Sequence, residues 1–206
     1  MGSIFNYENG YIQIINKVVD CVFLNLLWLL FSIPVFTIGA STTAFYYTVN
    51  KVICNNRSYV WKEFLNSFRT NFKQSTIVWL LLVVICGLGI VNSYVGYQLL
   101  MAGTLPKGIF VFIIVLMLMV TAWVNYLFPY IARFQNTTKA ILKNAVYISV
   151  ANIGWSILTL FMLLATVFAC WLIPITTICL PVLYVVLVNK IFERVFRKYV
   201  ETEDLE

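Results

Sequence analysis

Long apolar runs separated by short basic segments dominate the chain, and their lengths set the first reading. Val22 to Phe36 carries only Asn25 and Ser32 as polar residues. Counted over 18–37, this run has roughly the 20 residues that about 30 Å of hydrocarbon requires of a helix. Four more runs follow at 75–99, 108–130, 145–169 and 172–188, each close to or above the spanning length. The pattern predicts an all-α, polytopic transmembrane helical bundle of about five spans, organised as one integral membrane domain over 1–206.

Breaks between the runs are predicted from local chemistry. Pro34 weakens the first helix, and Gly39-Ala40-Ser41-Thr42-Thr43 suits a break with a fresh N-cap at Ser41 or Thr42. The following stretch, 44–52, holds Thr48, Asn50 and Lys51 and reads as too polar and too short to cross alone. Five spans with the N-terminus outside are therefore expected, or six if the first stretch is a hairpin. The last two runs nearly touch, which predicts a tight hairpin at Cys170 to Pro174, with Trp171 at the interface and Pro174 opening the next helix.

Helical periodicity also marks amphipathic stretches. Tyr11, Ile12, Ile15, Val18 and Val19 share one face of an interfacial lead-in helix. In the segment 57–74, Trp61, Phe64, Leu65, Phe68 and Phe72 share a face, flanked by Lys62, Arg69 and Lys73. Trp61, Phe64, Phe68, Arg69, Phe72 and Lys73 form the candidate surface for lipid headgroups or a partner. Val195, Phe196 and Tyr199, beside Arg194, Arg197 and Lys198, repeat the pattern.

Composition supports the bilayer as the main solvent: 62% of the 206 residues are hydrophobic and 11% charged, against about 25% charged in soluble domains. The net charge of +6 does not point to nucleic acid, because the basic residues flank the apolar runs and no separate basic domain exists. Three basic segments (Lys51 to Lys73, Arg133 to Lys143, Lys190 to Lys198) contrast with Lys107 alone between the second and third runs. By the positive-inside rule those three face the cytoplasm, as does the tail 189–206. Sequons at Asn56-Arg57-Ser58 and Asn136-Thr137-Thr138 then fall on the cytoplasmic side and are discounted.

Candidate chemistry is sparse. The five cysteines form no CxxC pair and read as small buried hydrophobes. With no histidine, no cluster supplies a metal site. No P-loop, H-E-x-x-H or G-x-S-x-G motif is present, so no catalytic residue, cofactor or metal ligand is expected. Within the runs the candidates are Asp20, Asn25, Asn125 and Asn152, with Asn92 and Gln98, since a buried amide needs a partner where no water reaches it. Interhelical hydrogen bonding is the expected role for the amides, and an interfacial position for Asp20. Gly87, Gly89 and Ser93 suggest close packing of the second span, and Trp28 and Trp123 lie mid-span as packing residues.

An ordered set of strings resembles the YesL-like (DUF624) family of bacterial membrane proteins. These are Asn25-Leu26-Leu27-Trp28-Leu29-Leu30 with Pro34, Thr37 to Ala44, Tyr59-Val60-Trp61 with Phe64, Phe68-Arg69-x-Asn71-Phe72-Lys73-Gln74, Phe128-Pro129-Tyr130-x-Ala132-Arg133-Phe134 and Leu142-Lys143-Asn144-Ala145. Ala40-Ser41 stands where that family often carries Pro-Ala. The resemblance implies a multi-pass protein of the bacterial cytoplasmic membrane, without established activity, often associated with carbohydrate ABC import. It implies no site residues. The function expected is therefore an accessory or interaction protein, with ABC transporter components as partners. The alternative is a small solute transporter acting through the bundle.

Overall fold

In the computed structural model, which describes residues 10–55, 59–134 and 136–203, seven α-helices are joined by short irregular turns. They are α1 (Gly10–Ser32), α2 (Ile38–Thr48), α3 (Val60–Met101), α4 (Lys107–Arg133), α5 (Thr138–Ala151), α6 (Ile153–Leu172) and α7 (Leu180–Glu203). Four contain stretches long and apolar enough to cross a membrane: Ile15–Ser32 of α1, α3, α4 and α6. The fold is all-α and matches a polytopic membrane bundle. Arg57 with the sequon at 56–58, the residues before 10 and those after 203 lie outside the described residues.

The expected lead-in helix and first span are one helix, α1, because nothing between Tyr11 and Ser32 breaks it. The break comes earlier than the small residues suggested. Pro34 is extended, a 3-10 turn covers Val35–Thr37, and α2 starts at Ile38. Gly39 to Thr43 thus lie inside α2 rather than at a break. Thr37, not Ser41 or Thr42, holds the turn, its hydroxyl lying 2.6 Å from the carbonyls of both Phe31 and Pro34.

α2 is the centre of the bundle, with Gly39, Ala40, Ser41, Thr43, Ala44, Phe45, Tyr46 and Thr48 all buried. Small residues let its backbone come close to α3. A Cβ on Gly39 would stand 2.5 Å from the Ser75 carbonyl oxygen and 2.6 Å from Trp79 Cβ. Thr43 and Ser75 share a hydroxyl hydrogen bond of 2.9 Å, and Lys51 reaches Glu63 at 2.7 Å. These contacts make α2 antiparallel to α3. On its other side Trp28 of α1 packs on Phe45 and donates to Thr42 at 3.3 Å, while Ser41 donates to the Trp28 carbonyl.

α3 merges the expected amphipathic segment and the expected second span into one rod of 42 residues, about 63 Å long. Gln74, Ser75 and Thr76 read as a boundary but are tolerated within the helix. Gln74 donates to the Asn136 carbonyl at 2.6 Å, and Ser75 is bonded to Thr43. The rod is about twice the hydrocarbon thickness, so its polar first turns extend beyond it. Its distal half pairs with α4 as an antiparallel arm. Gly89 lies under Met117, and Gly96 sits against Phe110 and Ile113, where a Cβ would meet ring and methyl atoms at 3.4 Å. Gly87, expected on the same packed face, points to open space.

Two further expectations are corrected. The run 145–169 is broken at Asn152, whose φ of −120° and ψ of 46° separate α5 from α6. The last turn is longer than a tight hairpin: Pro174 opens a 3-10 turn, Pro174–Ile178, and α7 begins only at Leu180. α7 buries a stripe of Val182, Val185, Val188, Phe192, Val195 and Phe196 along its length. The Val195 and Phe196 face is therefore core. Cys54 and Cys179 are exposed, against the expectation of buried cysteines.

Glycine substitutions test this packing. Gly39→Ala meets backbone and Cβ atoms that cannot rotate away and is expected to cost about 1–3 kcal/mol. Gly87→Ala meets nothing and is expected to be neutral or to stabilise by up to about 1 kcal/mol. Thermal unfolding in detergent reads both. Equal midpoints for the two variants would refute the close α2–α3 approach.

Candidate functional site

Only two acidic residues lie between Asp20 and Glu201, namely Glu63 and Glu193, and both are drawn to the basic end of the bundle. The element that gathers them is a π-helical turn, Val49–Cys54, continuing α2. Such wider turns recur at functional sites because they re-aim side chains within a helix. Asn55 closes this one by donating to the Asn50 carbonyl at 2.6 Å and to Asn50 Oδ1 at 3.1 Å.

Asn50 then becomes a junction. Its Nδ2 donates to Glu193 Oε1 at 2.7 Å, and its Oδ1 accepts from Asn189 at 3.4 Å. Glu193 Oε2 lies 3.5 Å from Arg133 Nη2. One turn thereby links α2, α4 and α7. Next to it, Lys51 Nζ donates to Glu63 Oε2 at 2.7 Å and to the Tyr47 hydroxyl at 3.1 Å. The Glu63 hydrogen bond, and then that of Tyr47, holds the Lys51 ammonium above its ordinary pKa.

Asn50, Lys51, Arg133, Asn189 and Glu193 line a cavity of about 270 Å³ whose walls also include Tyr46, Tyr47, Pro129, Phe192 and Phe196, with Glu63 holding Lys51 from outside that lining. Its donors are amides and two half-exposed cations, and its one carboxylate, Glu193, is already engaged by Asn50 and Arg133. The arrangement suits reversible binding of a small polar ligand by hydrogen bonds. Among the described residues no group of three histidine, cysteine or acidic side chains could hold a metal ion. Sequence reasoning read Lys51 and Arg133 only as orientation charges and did not single out Glu63 or Glu193. The scarcity of acids was the signal that could have found the pair.

The candidate surface on 57–74 divides. Phe64 is 0% exposed and packs edge-on against Phe31 of α1 at 5.4 Å, with Phe68 against the same ring at 5.0 Å. Those two rings are covered by the chain itself, and Phe72 follows on Phe68 at 5.4 Å. Trp61, Arg69 and Lys73 stay exposed. Phe64 and Phe68 of the aromatic face are therefore interhelical contacts, while Trp61 and the basic flank lie at the surface.

The intramembrane amides separate as well. Asn25 donates to the carbonyls of Thr177 and Ile178 at 2.6 and 2.8 Å, pinning the last turn to α1. Asn152 donates to the Ile148 carbonyl at 3.1 Å and to the Tyr199 hydroxyl at 3.0 Å, bridging its own kink. Asn125 accepts from Tyr184 at 2.8 Å, and Pro129 has no N–H to give to its carbonyl. Asp20 is half-buried on α1. Asn125 borders a second, mainly apolar cavity of about 390 Å³ between α1, α2, α4, α6 and α7. Tyr46 borders both cavities.

The compact part of this geometry coincides with a family signature. Residues 21–93 match the family described as "Protein of unknown function, DUF624". The DUF624 match begins in α1, takes in the whole of α2 and its π-helical turn, and ends in α3 at Ser93. It contains Lys51 and Glu63, whereas Arg133 and Glu193 lie beyond it. The strings at Phe128 to Phe134 and Leu142 to Ala145, part of a resemblance read over nearly the whole chain, also lie beyond it. No curated protein matches the chain, and no solved structure does.

Proposed function

We propose that this multi-pass membrane protein is an accessory or interaction protein associated with carbohydrate ABC import, docking on the transmembrane helices of a permease. The observation that carries the reading is the α3–α4 arm. Its two helices half-bury their facing side chains, Phe110, Ile113 and Met117, and the outward ones, including Leu88, Tyr94, Val111 and Phe112, are exposed. Small residues on the inner seam, Gly89 and Gly96, bring the two helices close, so the arm forms a narrow blade suited to lie against other membrane helices. The sugar-import association rests on the resemblance described above, and the match over 21–93 supports it only as far as the DUF624 family.

In this reading the basic end faces the cytoplasm, where Trp61, Arg69 and Lys73 meet lipid headgroups or the importer's soluble subunits. Purification in mild detergent is expected to recover a permease or ATPase in near-stoichiometric amount, and Tyr94→Arg with Phe112→Arg on the arm to reduce that recovery at least tenfold. Repeated recovery of the bare protein would overturn the proposal. On a cysteine-free background, a cysteine replacing Leu105 is expected to react with an impermeant thiol reagent in intact cells, and one replacing Thr137 to stay shielded. The opposite pattern would reverse the orientation.

A further inference from the structure

The cavity beside Asn125 has the size of a small-molecule site, about 390 Å³ against a usual range of about 300–1,000 Å³. Its walls are almost wholly apolar and include no Lys, Arg, Asp or Glu. The polar groups that do face it are largely committed within the protein. Trp28 donates to Thr42, Thr121 to the Met117 carbonyl, Thr166 to the Met162 carbonyl and Tyr184 to Asn125 Oδ1. Asn125 itself is 8% exposed, and its Nδ2 is buried with no partner. An amide N–H without an acceptor in hydrocarbon is costly, since no water compensates it.

The rim supplies a route of entry. Val167 of α6 lines the cavity and is 58% exposed, so the opening lies on a face that the bilayer would bathe. We propose that this cavity is a binding site for a neutral lipid from the surrounding membrane, with its chain against the apolar walls and one acceptor oxygen on Asn125 Nδ2. The absence of charged lining excludes an ionised headgroup from the interior, because nothing there would offset its desolvation. The missing acceptor selects an ester, ether or hydroxyl oxygen over a plain hydrocarbon.

The test uses the full chain in phosphatidylethanolamine and phosphatidylglycerol vesicles carrying a trace of monoacylglycerol with a diazirine near its chain end. After irradiation, adducts mapped by mass spectrometry are expected to concentrate on 121–128 and 163–170. Asn125→Leu removes the donor, and Val167→Trp narrows the rim without touching the amide; each is expected to lower that labelling at least fivefold. A diazirine alkane without oxygen is expected to label these segments no more than the outward-facing Phe161 and Trp171. Adducts spread evenly over α6 and indifferent to both variants would mean bulk lipid contact and overturn the site. If Asn125→Leu fails to fold, Val167→Trp decides alone, and unchanged labelling in that variant overturns the proposal.

Discussion

Inside a bilayer no water is at hand for a stray backbone carbonyl, so every departure from regular helix must be hydrogen-bonded by the protein itself. Among the described residues, four of the departures from regular helix each have a side chain assigned to them. Thr37 serves the turn after α1, helped by Trp79 Nε1, which donates to the Val35 carbonyl at 2.7 Å. Asn55 closes the π-helical turn. Asn152 and Ser156 serve the kink between α5 and α6, with Ser156 donating to the Ser149 carbonyl at 2.7 Å. Asn25 serves the turn before α7. Several polar residues of the apolar runs are thus spent on the breaks, while Asn125 Nδ2, like Ser32 Oγ, Thr76 Oγ1 and Trp123 Nε1, is buried without a partner.

Those breaks also position the basic end. The turn after α1 lets α2 enter the centre of the bundle, and the π-helical turn at its far end faces Asn50 toward α7 and Lys51 toward α3. Irregular backbone accompanies side-chain identity in bringing Lys51, Arg133 and Glu193 around one cavity, with Glu63 bonded to Lys51 behind it.

The sequence made the bundle legible where apolar length decides, as in α3, α4 and the apolar core of α1. It was less legible where a polar residue can either end a helix or sit inside it. Gln74 to Thr76 looked like a boundary but stayed helical, whereas Asn152 lay in an apolar run and broke it. Nothing local distinguishes the two, because the outcome depends on partners such as Asn136 and Tyr199 that arrive from other helices. Periodicity likewise identified the face of Phe64 and Phe68 but not its cover, which Phe31 supplies. The junction at Asn50 was out of reach for the same reason: its bond to Glu193 spans 143 positions.

Intramembrane amides such as Asn25 hold the broken backbone together, Asn25 by its two bonds to the turn before α7. Asn25→Leu keeps the side-chain size and removes both donors to the turn at 173–179. Amide hydrogen exchange in detergent is predicted to accelerate over 173–182 by at least tenfold in the variant while the α3–α4 arm exchanges as before. Unchanged exchange in the turn, with folding intact, would contradict the account.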